Sequence, residues 1–361
     1  MRYKLAVEKL SKSYAKAVAL APTDLHVAEG QFVTLLGPSG SGKTTLLMMI
    51  AGLLEPDSGE IWIDGRRATY APPYARDIGM VFQNYALFPH LSIYENIAFP
   101  LRMRKASETE IDSEVRRVLE IVQLPHVADR LPSALSGGQQ QRIALARCVV
   151  FKPSLILMDE PLGALDKKLR DQLQIEIKHL HKQLGTTILY VTHDQQEALT
   201  MSDRVCLMNH GRIEQFGAPE EIYFHPRTIF AADFLGESNI FAANVETTAG
   251  GLASVRSPRL GHHKIMAPAD DRFNKGPCSL LVRPESIVVG SKVDGMNTIT
   301  GALEETIFTG NVTKFFVKTP GGETVFCETL TSKNGSLPQP GTTISISWPV
   351  QATVLLPGAG S

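Results

Sequence analysis

The chain has 361 residues, 43% of them hydrophobic, and a formal net charge of −1 from 36 Lys and Arg against 37 Asp and Glu. This length predicts two or three domains, with ample chain to bury a core. Such a balanced charge indicates no footprint for nucleic acid and no polybasic membrane patch. We find no run of about 18 apolar residues, so no segment is expected to span a bilayer. The start, MRYKLAVEKLSKSY, is too polar for a secretory signal, and the four cysteines lack metal-binding spacing. We therefore expect buried thiols in a reducing compartment.

Strand-like and helix-like segments alternate along the first two thirds of the chain. QFVTLLG (residues 31–37) predicts a strand, and TTLLMMIAGL after it predicts a helix. SLILMDE (154–160) and TTILYVTHD (186–194) predict further strands on either side of a helix, KKLRDQLQIEIKHLHKQL (167–184). This alternation predicts an α/β domain with a largely parallel sheet over residues 1–238.

Two regions depart from the alternation. SETEIDSEVRRVLEIVQL (residues 107–124) is helical in pattern, and it predicts a helical subdomain over about residues 84–150, inserted into the α/β domain. After about residue 239, short β-rich runs such as NVTKFFVKT and ETVFCETL are separated by Gly, Pro and Asn. They predict a second, all-β and barrel-like domain over residues 239–361.

A glycine-rich loop lies between the first strand and helix of this pattern. GPSGSGKT (residues 37–44) fits the phosphate-loop motif GxxxxGK[ST]. Glycines allow backbone N–H groups to converge on phosphate oxygens, and the following helix adds its positive N-terminal end. Lys43 would contact the outer phosphates, and the Thr44 hydroxyl would bind Mg²⁺. The expected ATP-binding residues are Gly37, Pro38, Ser39, Gly40, Ser41, Gly42, Lys43, Thr44 and Thr45.

Two carboxylates end the apolar strand LILMDE. Asp159 would hold Mg²⁺ through water, and Glu160 would polarise the water that attacks the γ-phosphate. An acidic pair after a strand, taken alone, also fits a solvated turn. The phosphate loop in the same chain favours the catalytic interpretation.

At LSGGQ (residues 135–139) the chain resembles the ATP-binding subunits of ABC transporters. The resemblance runs over residues 1 to about 235 and includes the phosphate loop, Gln83, LILMDEP, GALD (163–166) and His193. It implies a P-loop NTPase fold of the ABC type with ATP and Mg²⁺ as cofactors. SGG alone also fits an ordinary helix cap, since a serine with exposed glycine N–H groups makes an anion-binding helix start.

The resemblance further implies a head-to-tail dimer of two such chains. The signature of one copy would complete the ATP site of the other, with two nucleotides buried between them. The residues expected to act in trans are Ser136, Gly137, Gly138 and Gln139. Asp166 would lie at the dimer interface.

Other roles follow from position in the resemblance. Tyr14 would stack on adenine, with Val18 or Leu20 nearby, although it also fits a surface aromatic beside a hairpin. Gln83 would contact both Mg²⁺ and the attacking water, and His193 would contact the γ-phosphate. His193 also fits a histidine hydrogen-bonded at a strand end. The catalytic set is thus Glu160, His193 and Gln83, and the magnesium set is Thr44, Gln83 and Asp159.

The β-rich C-terminal region resembles the accessory, or TOBE, domain of carbohydrate, polyamine and iron importers. Arg283–Glu285 matches a short motif of that domain, which also fits a plain strand-end turn. FLGESN (residues 234–239) is most similar to the spermidine/putrescine branch. The resemblance implies two transmembrane permease subunits, an indirect extracytoplasmic binding protein, and a peripheral place on the cytoplasmic face of the membrane. Sugar or ferric-iron import, a soluble ABC ATPase acting on nucleic acid, and a binding module without ATP turnover remain alternatives.

Overall fold

The computed structural model describes residues 3–15, 17–163, 165–261, 263–273, 275–290, 292–332 and 338–358. The chain forms two compact units, Met1–Pro219 and Glu220–Ser361, here called the N-terminal and C-terminal units. Residues 220–238 thus group with the C-terminal unit, whereas the sequence pattern predicts a boundary at 238/239. Within the described residues, no helix is both long enough and apolar enough to cross a membrane.

The N-terminal unit contains two sheets and six helices among its described residues. Its strands are β1 (Tyr3–Tyr14), β2 (Ala17–Ala28), β3 (Phe32–Leu36), β4 (Ser58–Ile63), β5 (Arg66–Arg67), β6 (Ile78–Val81), β7 (Leu155–Asp159), β8 (Thr187–Thr192), β9 (Arg204–Asn209) and β10 (Arg212–Gly217). Its helices are α1 (Lys43–Ala51), α2 (Ile93–Met103), α3 (Glu108–Ile121), α4 (Gly137–Val149), α5 (Lys167–Leu184) and α6 (Gln195–Met201).

The larger sheet has the strand order β10-β9-β3-β8-β7-β6. All its neighbours are parallel except β10, which runs antiparallel to β9. Every residue of β3 and β8 is buried, as expected of central parallel strands covered on both faces. The smaller sheet is antiparallel, in the order β2-β1-β4-β5. The predicted α/β class is confirmed, and the carboxyl ends of the parallel strands form one edge on which a site can be built.

The helices α2, α3 and α4 lie between β6 and β7, which are adjacent strands of the sheet. Each begins at a serine whose hydroxyl accepts a backbone N–H of the first turn, at Ser92, Ser107 and Ser136. Their apolar faces share one buried cluster with β6, β7 and α5. The predicted helical segment is therefore an insertion between two neighbouring strands.

The C-terminal unit is built mainly of antiparallel strands. Its elements are α7 (Pro219–Phe224), α8 (Ile229–Phe234), β11 (Asn239–Ala249), β12 (Leu252–Arg256), β13 (Lys264–Pro268), β14 (Gly276–Val282), β15 (Val288–Val289), β16 (Met296–Phe308), β17 (Val312–Lys318), β18 (Thr324–Leu330), β19 (Thr343–Pro349) and β20 (Thr353–Pro357). The two sheets have the orders β13-β12-β11-β14-β20 and β15-β19-β16-β17-β18. Both contribute to a single core cluster around Trp348, so the predicted all-β class is confirmed for this part.

All four cysteines are free and buried, at Cys148, Cys206, Cys278 and Cys327. Burial raises the pKa of Cys148, Cys206 and Cys327 to about 12 and that of Cys278 to about 11. The thiolate, which is the reactive form, is therefore suppressed at neutral pH.

Candidate functional site

The phosphate loop joins β3 to α1, as the motif predicts. Lys43 is 5% exposed, and its ammonium donates to the carbonyls of Gly37 (2.8 Å) and Pro38 (2.9 Å) of its own loop. Burial lowers the pKa of Lys43, against the opposing influence of Glu160 and Asp159. The loop needs glycine at Gly42, where φ is +97° and a Cβ would lie 2.6 Å from a backbone oxygen of β2. The loop thus holds its lysine charge with two carbonyls and, over 3.5 Å, with the hydroxyl oxygen of Ser41.

Thr44 lies in the first turn of α1, beside the end of β7. Its Oγ1 donates to Asp159 Oδ1 over 3.4 Å, and the threonine is exposed. Burial and the neighbouring Glu160 raise the pKa of Asp159. These are hard oxygen donors of the kind that Mg²⁺ prefers, and two protein ligands with further positions open to water and phosphate suit that ion. The chemistry of the pair therefore fits a magnesium ion.

Glu160 follows β7 in a left-handed backbone conformation, with φ of +44°. This conformation is uncommon for a non-glycine residue, and its N–H donates to Val191 O over 3.0 Å. His193 Nδ1 lies 3.2 Å from Glu160 Oε2. A Cβ placed on Gly163 would lie 3.7 Å from the amide nitrogen of Gln83 and 4.0 Å from Glu160 Oε2. The three residues of the predicted catalytic set are thus gathered at one sheet edge.

The signature serine has a different role within this chain. Ser136 caps α4: its Oγ accepts from Gln139 N over 3.4 Å, and Gln139 Oε1 accepts from Ser136 N over 3.0 Å. This reciprocal pair is a capping box. Gly137 and Gly138 lie against leucine side chains of the segment at the start of α5. In the described part of the chain, every hydrogen bond of Ser136 stays within the first turn of its own helix.

Tyr14 ends β1 and is half exposed, with the Lys12 ammonium 5.9 Å from the ring centroid. Val18 pairs across the hairpin with the residue before Tyr14 and is 62% exposed. Leu20 is fully buried in the core. Of the two predicted neighbours of an adenine, only Val18 offers an open apolar surface.

Three polar side chains that the sequence analysis did not single out surround this edge. Asp194 caps α6, Glu197 is 2% exposed within α6, and Arg170 of α5 donates to Asp194 Oδ2 over 3.2 Å. Asp194-x-x-Glu197 has the spacing of a capping box. That pattern could have singled out both residues, but it does not reveal that the glutamate points into the core.

The comparisons with known proteins agree with this arrangement. The family model described as "ABC transporter" matches residues 20–163, and that described as "TOBE domain" matches residues 280–356. The chain is 43% identical to "Spermidine/putrescine import ATP-binding protein PotA" of Thermobifida fusca, over 98% of this chain and 94% of that protein. It is 41% identical to the protein of the same name from Rubrobacter xylanophilus, over 98% of this chain and 93% of that protein.

Solved structures show the same fold for the N-terminal part. A subunit of the Clostridium perfringens transporter complex cbiONQ, cbiO1, has a TM-score of 0.58 and 32% identity over 62% of this chain and 91% of its own. A bacterial ABC transporter cassette solved as a dimer has a TM-score of 0.54 and 34% identity over 60% and 98%. Together with the full-length relatives, these likenesses place the chain among the ATP-binding, ATP-hydrolysing proteins of the ABC transporter family.

Proposed function

We propose that the chain is the ATP-hydrolysing subunit of a polyamine importer, with spermidine or putrescine as the solute. The observation that carries this proposal is the match to the import proteins of that name, which extends over 98% of the chain and includes its C-terminal unit. A phosphate loop alone would indicate ATP hydrolysis without indicating which process the hydrolysis drives.

ATP would bind at the edge formed by β3, β7 and β8. Lys43 would exchange its two loop carbonyls for the outer phosphates, and the exposed Thr44 and Ser39 would approach phosphate oxygens. Thr44, Asp159 and Gln83 would hold Mg²⁺, which supplies a Lewis acid for the phosphate oxygens. Tyr14 would stack on the adenine beside Val18. The other backbone amides of residues 37–45 would complete the cradle.

Glu160 would act as the general base toward the attacking water. It is well placed for this, because His193 lies against one of its carboxylate oxygens and Gln83 is close by. His193 would contact the γ-phosphate as charge develops on it. Glu160 also has a left-handed backbone, an uncommon conformation of the kind that occurs at functional sites.

Two copies would pack head to tail, so that Ser136, Gly137, Gly138 and Gln139 of one reach the phosphates held by Lys43 of the other. The first turn of α4 supports this, since its serine and glycines are ordered by a capping box and present backbone N–H groups at a helix start. The dimeric cassette with a similar fold supports it as well. Asp166, which caps α5, would face the second copy.

Closure of the dimer on ATP would be passed through the helical insertion to two membrane permease subunits. The segment after Gln83 lies at the start of this insertion and is the proposed docking surface. The chain would then be a peripheral protein at the cytoplasmic face of the membrane, linked indirectly to an extracytoplasmic binding protein.

The proposal is tested by tagging the Glu160→Gln variant, expressing it in its native cell with ATP and Mg²⁺, and identifying the proteins that co-purify. We expect multi-span permeases together with a dimer of the chain. Uptake of labelled spermidine, maltose and ferric iron by a strain lacking the chain identifies the solute: only polyamine uptake should fall, and wild-type chain should restore it.

Two results would contradict the proposal. If the strain lost only sugar uptake or only iron uptake, the chain would still be an importer subunit, but its solute would not be a polyamine. If only soluble nucleic-acid-binding proteins co-purified and nucleic acid stimulated ATP turnover, the chain would be an ATPase but not part of a transporter.

A further inference from the structure

The carboxylate of Glu197 is buried close to residues 193–194, which connect β8 to α6 and are here called the histidine loop. Glu197 is 2% exposed, and one of its oxygens, Oε2, accepts hydrogen bonds from Tyr190 Oη (2.8 Å) and Thr192 Oγ1 (2.7 Å). A buried carboxylate is costly unless its oxygens are satisfied. Two hydroxyls of one strand therefore converge on a single oxygen atom.

This arrangement fixes the direction of the Thr192 hydroxyl. Its hydrogen is used toward Glu197, so its lone pairs are free to accept, and the N–H of Asp194 donates to it over 3.0 Å. Thr192 and Asp194 are the two chain neighbours of His193. The bridge from Glu197 through Thr192 to Asp194 thus holds the backbone on both sides of the histidine.

Asp194 is held from a second direction by Arg170. The guanidinium donates to Asp194 Oδ2 over 3.2 Å and to the carbonyl of Leu165 over 2.9 Å, and its Nε lies 3.9 Å from Glu197 Oε1. Asp194 Oδ1 in turn accepts from the backbone of Glu197 and its neighbour at the start of α6. The half-buried Arg170, 27% exposed, therefore contacts both the histidine loop and the segment around Leu165.

We propose that Glu197 is a positioning residue for ATP hydrolysis, acting through Thr192 and Asp194 to hold His193 against Glu160. The proposal rests on the catalytic roles of His193 and Glu160 proposed above. The imidazole is 59% exposed and, among the residues that the structure describes, it contacts the side chain of Glu160, so its direction depends on its backbone. Small displacements of a catalytic group lower turnover far more than they lower binding.

Tyr190 supplies a matched control. Tyr190→Phe and Thr192→Val each remove one hydroxyl from the same carboxylate oxygen, and both side chains are buried. Only the threonine hydroxyl also accepts from Asp194. A purely structural role for Glu197 predicts similar effects of the two changes, whereas the positioning role predicts an effect on turnover for Thr192→Val alone.

The experiment measures kcat and KM for ATP in the full chain, together with the urea midpoint of each variant. We expect Thr192→Val to lower kcat about 10- to 100-fold, because a displacement of about 1 Å at a catalytic group can cost up to about 100-fold. KM should change less than about threefold, and Tyr190→Phe should keep kcat within about threefold of wild type. Thr192→Ser, which keeps the hydroxyl, should restore most of the turnover. Thr192→Ala replaces the valine variant if that variant does not fold.

Equal kcat for Thr192→Val and Tyr190→Phe, or a Thr192→Ser variant as slow as Thr192→Val, would overturn the inference. Lys43→Ala and Glu160→Gln are measured alongside. If those two retain wild-type turnover, the proposed ATP site itself is wrong. If they lose turnover while Thr192→Val keeps it, only the role of Glu197 is wrong.

Discussion

Lys43 in the N-terminal unit and Arg283 in the C-terminal unit are both almost fully buried cations, 5% and 4% exposed. Burial lowers the pKa of each. Their partners differ. Lys43 donates to carbonyls five and six residues away in its own loop. Arg283 donates to Ala232 O, Ser238 Oγ and Tyr223 O, which are 45 to 60 residues away in sequence, and its guanidinium lies 4.2 Å from the Tyr223 ring centroid.

The difference indicates what each charge is for. A cation satisfied by its own loop adds little to long-range folding, and it can turn from carbonyls to phosphate without disturbing other elements. A cation satisfied by a distant segment ties that segment to the part of the chain that carries it. Tyr223, whose hydroxyl donates to Glu285 Oε1 over 2.7 Å, strengthens the same connection.

The largest expected effect comes from removing the charge of Lys43. Lys43→Ala should lower ATP turnover by about 10³-fold, because a preorganised donor to the transferring phosphate is lost. The free energy of unfolding should change by less than about 1 kcal/mol, since the lost bonds are local. Turnover assays and urea titration check both. The exposed Lys182→Ala is the control, and a Lys43→Ala chain that unfolds early would break the comparison.

Arg283→Met should have the opposite effect, lowering stability rather than ATP turnover. It removes the donor to the carbonyl of Tyr223 and leaves the carbonyl of Ala232 with the Ser238 hydroxyl alone, so the C-terminal unit should lose about 3 kcal/mol of stability. The chain has two tryptophans, Trp62 and Trp348, one in each unit. In a Trp62→Phe background, the fluorescence of Trp348 therefore reports on the C-terminal unit alone.

The matched control is Arg256→Met, which removes an exposed ion pair with Glu246 and should cost less than about 1 kcal/mol. Equal losses of stability for Arg283→Met and Arg256→Met would contradict the inference that Arg283 anchors a distant segment.

A smaller effect concerns pH. Burial raises the pKa of Glu197, although hydrogen bonds from Thr192 and Tyr190 oppose the shift. An acid whose pKa is higher in the folded chain stabilises the fold fully below about pH 4, its unfolded pKa, and this contribution is lost as the pH rises through the folded pKa. Glu197→Gln removes that dependence.

The stability of Glu197→Gln relative to wild type should therefore rise as the pH increases above about 4, by about 1.4 kcal/mol for each unit by which the pKa is raised. Trp62 fluorescence in a Trp348→Phe background follows the N-terminal unit. A relative stability of Glu197→Gln that falls with pH would contradict the argument.

The smallest effect is expected at the edge of the site. Tyr14→Ala should weaken the binding of ATP and ADP alike by about 1–2 kcal/mol, because a base stacked on an aromatic ring is lost. Tyr14→Phe, which keeps the ring, should bind as wild type does. Titration with a fluorescent ATP analogue measures both, and equal affinity for Tyr14→Ala and wild type would assign Tyr14 to the surface instead.

The sequence predicts best what is local. The phosphate loop, the strand ending in Asp159 and Glu160, and the helix 167–184 each depend on a short run of residues, and the bounds of α5 agree with that run. Arg283 was compatible with a plain strand-end turn, because its acceptors lie in a segment far away along the chain. The buried position of Glu197 is not predictable for the same reason: its spacing from Asp194 predicts a helix start, whereas the hydroxyls that donate to it belong to β8.

The four buried thiols have a practical consequence. Because each native sulfur is shielded and protonated at neutral pH, a maleimide should react with a cysteine introduced on the surface and leave the native four unmodified. Probes for distance measurements between two copies of the chain can therefore be attached to the wild-type background.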